Sequence, residues 1–170
     1  MTVEIWDPHF HIWDVSENTE SGHDPSVLVT PKEDLVYTLK KYEEDMTAVD
    51  FKLSGGAFVE AVSVCHVNID GPQFESACLA ETRWVSSQLD ESTLDYVLVG
   101  SAPLESPRID QILESLKRFP KVYSIRQIIS YEPSWPRNKK RGNFLENPQW
   151  LDGFSQLASH NLAFDLQINP

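Results

Sequence analysis

Basic residues are scarce: 14 Lys and Arg stand against 26 Asp and Glu, for a formal net charge of -12. Recognition of nucleic acid or of an anionic membrane needs clustered Lys and Arg, so this balance argues against both as partners. The one basic cluster, Arg137 to Arg141 with Asn138, Lys139 and Lys140 between them, reads as a solvated loop. Cysteine is nearly absent. Cys65 and Cys78 are too few for a disulfide framework and have no CxxC spacing, which fits buried thiols in a reducing compartment and makes neither a convincing nucleophile. No run of about 18 apolar residues exists to span a membrane, and the first residues lack the basic-then-apolar layout of a secretory signal. A soluble cytoplasmic protein is therefore the expectation. No glycine-rich loop follows the first apolar run, and Gly55-Gly56 precedes the second strand, where it cannot cradle a phosphate.

What is present suffices for one ordinary core: 170 residues, 41% hydrophobic and 11% aromatic, predict a single domain over 1–170. Short runs rich in β-branched and aromatic residues lie at Val3 to Trp6, Gly56 to Val64, Tyr96 to Val99, Val122 to Ile129 and Leu162 to Ile168. Helical segments are predicted between them, from Pro31 to Met46, Pro72 to Leu89, Pro107 to Arg118 and Pro148 to Ser159. Thr30-Pro31, Ser106-Pro107 and Asn147-Pro148 each set a capping side chain before a proline at the first helical position, and Thr30 with Glu33 forms a capping box. Strict β-α alternation implies parallel strands with right-handed crossovers. An open doubly wound sheet or part of a (β/α) barrel would satisfy it, and the missing glycine-rich turn favours the barrel, whose chemistry sits at the carboxyl ends of its strands.

The densest signal is Asp7-Pro8-His9-Phe10-His11-Ile12-Trp13-Asp14. Side chains two apart on a strand share a face, so His9 and His11 point together. Two neutral imidazoles suit zinc and its neighbours, although a catalytic site needs about three protein ligands; the plainer reading is a polar strand end with exposed histidines. Glu60 in the second strand, Arg126 in the fourth and Asp165 with Gln167 in the fifth fall at the same end. Arg126 could hold a substrate carboxylate through a bidentate fork or pair internally with Glu60 or Asp165. Glu60 and Asp165 could equally be structural partners or contact substrate. His66 could reach the mouth, His23 lies in a loop, and His160 at a helix C-terminus suits the helix dipole. Trp13 and Trp135 could line a pocket, whereas Trp84 and Trp150 on helices would pack against the sheet.

The opening motif resembles that of the amidohydrolase-related (amidohydrolase 2) family, the branch of sugar lactonases and pyrone-dicarboxylate lactonases. Further similarities follow in order: Phe58-Val59-Glu60-Ala61, Ala80-Glu81-Thr82-Arg83-Trp84-Val85, Ser124-Ile125-Arg126-Gln127-Ile128 with Ser124 in place of a glycine, and Asn147-Pro148-Gln149-Trp150-Leu151 through Leu162-Ala163-Phe164-Asp165-Leu166. The resemblance implies an α/β fold of the (β/α)8 TIM-barrel type, here truncated to about five β-α units. It also implies a hydrolase acting on a lactone or a related ester, amide or C–C bond of a small, carboxylate-bearing substrate. His9 and His11 would be metal ligands for zinc or manganese, or imidazoles that polarise the substrate carbonyl. Arg126, Glu60, Asp165 and Trp13 would contact substrate.

Eight strands need about 250 residues, and the pattern holds five. By the same resemblance a later histidine and a final-strand aspartate, the general base, would be missing. Bare first and fifth strands would be prone to pair with another chain, so a non-catalytic, self-associating chain stands beside the hydrolase.

Overall fold

The computed structural model describes residues 2–16, 35–48, 50–66, 69–134 and 142–167. Strands β1 (Val3–Phe10), β2 (Trp13–Asp14) and β3 (Val36–Tyr37) precede helix α1 (Leu39–Met46) and strand β4 (Phe51–Val59). There follow α2 (Val62–Cys65), α3 (Gly71–Glu91), β5 (Asp95–Ser101), α4 (Ile109–Leu116) and β6 (Val122–Arg126). A short 3-10 helix (Phe144–Glu146), α5 (Pro148–Gln156) and β7 (Ala163–Asp165) complete the order. The sheet runs β1-β4-β5-β6-β7, and every neighbouring pair is parallel.

Apolar runs become the central strands because both their faces are covered. Phe58, Leu98 and Ile125, one from each of β4, β5 and β6, are fully buried. Edge strand β1 is mostly exposed until Phe10, which turns inward to stack on Tyr42 at 4.4 Å. Gly55 and Gly56 sit inside β4, not before it. A Cβ on Gly55 would lie 1.8 Å from the Asp95 carbonyl oxygen, and Gly55 has φ +153°, so only glycine allows β4 and β5 this approach.

The expectation of a (β/α)8 TIM-barrel type is corrected. The described strands form an open five-stranded parallel sheet in which β1 and β7 lie at opposite ends and do not pair. The β-α alternation establishes parallel strands, but closure needs enough tilted strands for the first to meet the last, and five do not.

Local boundaries also move. Helix α1 starts at Leu39, capped by Thr38 accepting from the Lys41 N–H at 3.2 Å, because Val36–Tyr37 instead pairs antiparallel with Trp13–Asp14. The Thr30-Pro31 start and the Thr30/Glu33 box lie outside the described residues, as do His23, Trp135 and the Arg137 to Arg141 cluster. The tail of the predicted second strand is helix α2, and Ser106-Pro107 forms a turn before α4, with Ser106 Oγ accepting from the Arg108 N–H at 3.0 Å. Asn147 caps α5 as expected, accepting from the Gln149 N–H at 3.0 Å, with Pro148 opening the helix.

Fully buried Gln127, one residue past β6, ties the layers together. Its Oε1 accepts from Trp150 Nε1 at 2.7 Å and from the Leu104 N–H at 3.3 Å, while Nε2 donates to Glu105 at 2.8 Å. This side chain fixes the end of β6, and with it Arg126. Among the described residues, no helix is long and apolar enough to cross a membrane.

Candidate active site

The carboxyl ends of β1, β4 and β6 bring His9, His11, Glu60 and Arg126 together. Phe10 buries its ring between the two histidines in sequence, so both imidazoles leave on the other side and their Nε2 atoms approach to 3.1 Å. Asp7 braces the strand end: Oδ1 accepts from the His9 N–H at 2.9 Å and Oδ2 from the Tyr42 hydroxyl at 2.8 Å.

His11 Nδ1 lies 2.7 Å from the Val59 carbonyl oxygen. A carbonyl only accepts, so Nδ1 carries the proton and, in the neutral ring, Nε2 carries the lone pair. Burial lowers the His11 pKa below its ordinary 6.5; the Val59 carbonyl opposes this, and His9 and Arg126 reinforce it. The ring is therefore a neutral base whose lone pair faces His9 Nε2, and a proton or a cation belongs between the two nitrogens.

Arg126 is almost wholly buried. Its Nη1 lies 3.5 Å from His9 Nε2, its Nη2 donates to Gln167 Oε1, and its Nε, which makes no hydrogen bond, lies 3.7 Å from Glu60 Oε1. Glu60 Oε2 accepts from the Ser63 N–H at 2.8 Å, and Glu81 on α3 accepts from the Ala61 N–H at 2.9 Å. Two carboxyls thus bind one turn of backbone with one guanidinium nearby. Burial first, and then the Glu60 charge, raise the Glu81 pKa well above the usual 4.5, so that group keeps its proton to higher pH than a free carboxyl does.

Of the other predicted residues, Asp165 is the β7 register partner of Arg126, but Arg126 forms its ion pair with Glu60. Trp13 stacks on Tyr37 at 4.9 Å and, with His66, lines a separate cleft. His160 meets Asp110 at 2.9 Å, on the helical side. Sequence reasoning missed two neighbours of the cluster. Glu81 stood in the Ala80 to Val85 stretch with no sign that its carboxyl meets the Glu60 turn. Ser101 is the register partner of Arg126, with a fully buried hydroxyl that makes no hydrogen bond.

The imidazole pair fits two positions of a tetrahedral metal shell, where nitrogens about 2.0–2.1 Å from zinc stand roughly 3.3 Å apart. Val59 supplies the carbonyl that commonly orients a ligating histidine. Among the described residues, no group of three or more His, Cys, Asp or Glu is placed to hold a metal ion.

No family model matches the chain. An uncharacterized protein, y4mH of Sinorhizobium fredii (strain NBRC 101917 / NGR234), is 25% identical over 167 residues, which covers 98% of this chain and 54% of that protein. The chain thus spans about half the length of this curated relative. No solved structure matches.

Proposed function

We propose that the chain carries part of a hydrolase of the amidohydrolase superfamily that opens a lactone or related carboxylic ester. The observation that supports this most is the preset His11 tautomer, with its Nε2 lone pair beside His9 and a buried guanidinium at the carboxyl ends of the strands. In this reading Arg126 holds a carboxylate or the oxyanion that develops as water adds to the carbonyl carbon. His11 Nε2 accepts the proton of that water, and the same proton goes to the departing alkoxide when the C–O bond breaks. Zinc or manganese held by His9 and His11 would supply carbonyl polarisation and a more acidic water. Base and ligand roles draw on the same lone pair, so Val59 serves either one.

The test is hydrolysis of dihydrocoumarin, followed in a spectrophotometer with and without added zinc or manganese chloride. Turnover should fall by about 10²-fold or more in His11→Ala and His9→Ala, the scale of a lost general base. Unchanged turnover in both variants would sink the assignment. A second reading, a non-catalytic chain that associates with its own copies, is favoured by the edge strands β1 and β7 and by exposed Val3, Trp6 and Leu166. A particle of twice 19.4 kDa in light scattering, with no turnover, would support it instead.

A further inference from the structure

A cleft of about 350 Å³ opens beside α2 and α3, lined by neither His9 nor His11, and its volume is within the range of small-molecule sites. The indoles of Trp13 and Trp84 line it, and Ala77 and Ala80 leave room along α3. Tyr37, stacked on Trp13 with an interplanar angle of 25°, holds that indole in place.

The polar groups of the cleft are lopsided. Asp14 and Glu81 line it, His66 adds an imidazole, and among the described residues neither Lys nor Arg lines it. Asp14 Oδ1 accepts from the Ser16 N–H and hydroxyl, at 3.0 and 2.5 Å. Glu81 spends Oε1 on the Ala61 N–H, while its Oε2 is buried and makes no hydrogen bond. Glu60 already pairs with Arg126, so Glu81, the second acid, makes no ion pair of its own among the described residues and keeps a proton instead. A buried carboxyl oxygen without a partner is costly, and a donor or a positive charge relieves it. Indole faces attract a cation by their quadrupole, most strongly where water is excluded. Cys65 also lines the cleft, but burial pushes its thiol up to about 12, so it brings neither charge nor a reactive thiolate.

We propose that this cleft is a binding site for a small primary ammonium ion on a flat apolar body, held by the Trp13 and Trp84 indoles with its charge beside Asp14 and in place of the proton on Glu81, which passes to solvent. The site does not depend on the hydrolase reading, and lactone turnover is not part of its test.

Isothermal titration of the 170-residue chain with benzylammonium chloride, with phenylacetate as the oppositely charged probe of similar size, decides the matter. Benzylammonium should saturate one site at millimolar concentration or below, and phenylacetate should bind at least roughly tenfold more weakly, equivalent to about 1.4 kcal/mol. Trp84→Ala and Glu81→Gln should each weaken benzylammonium by about tenfold or more. If circular dichroism shows either variant unfolded, Trp13→Leu and Asp14→Asn take its place, with the same loss expected. Absence of saturation, equal binding of phenylacetate, or full affinity in folded variants would each overturn the assignment.

Discussion

Gly153, in the middle of α5, sets two opposing effects against each other. Alanine there would ordinarily favour the helix by about 1 kcal/mol. A Cβ at this position, however, would lie 2.0 Å from the Leu104 carbonyl oxygen, 2.9 Å from its carbon and 3.3 Å from its Cα. These are backbone atoms, so no rotamer change removes the clash, and α5 must retreat by on the order of 1 Å to restore ordinary contact. That motion carries Trp150 away from Gln127, threatening a buried hydrogen bond of 2.7 Å that is itself worth about 1 kcal/mol. Overpacking adds about 1–3 kcal/mol, so Gly153→Ala should lose about 2 kcal/mol net. Urea unfolding followed by tryptophan fluorescence reads this directly, as a midpoint lowered by roughly 1 M at unchanged slope. A midpoint equal to or above that of the parent would show that α5 does not press on Leu104 as described.

Two further outcomes follow from the buried groups. In the fold Glu81 keeps its proton at pH values where the unfolded chain has lost it, so its contribution to stability falls as pH rises from about 4.5 toward the raised folded value. Glu81→Gln retains an acceptor for Ala61 and no charge, so its stability relative to the parent should improve between pH 5 and pH 8; a margin that is flat, or that shrinks with pH, would contradict the protonated state. With the Cys65 thiol near 12 and Cys78 fully buried, alkylation by iodoacetamide at pH 8 should run at less than about a hundredth of the free-cysteine rate until urea is added. Labelling of either thiol at the free rate in the folded protein would refute the burial.

The parallel α/β arrangement was legible because strands covered on both faces, such as Val97 to Gly100, read as unbroken apolar runs, and because Asn147-Pro148 marks a helix start with local chemistry alone. The meeting of His9 and His11 followed from two-residue alternation on one strand. Closure was not legible, since it depends on strand number and tilt and not on any local pattern. Val36 and Tyr37 fell inside the helix predicted from Pro31 to Met46 yet became a strand, because pairing with Trp13 and Asp14 outweighs local propensity. Glu81 escaped notice for the same reason: its significance is a contact with the Glu60 turn, invisible from helix α3 alone. For Arg126 both candidate carboxylates were in view, and only the packing of β4 against β5 and β6 selects Glu60.

The strand order β1-β4-β5-β6-β7 has a bearing on how the molecule is made. Within the five-stranded sheet the spatial order follows the chain order, so every strand after β1 finds a partner already made. During synthesis from the N-terminus, β4 finds β1 already present, and every later strand docks on a finished edge. The apolar faces of β4, β5 and β6 are therefore exposed only until the next helix and strand emerge, which shortens the interval in which a growing sheet can capture the wrong chain.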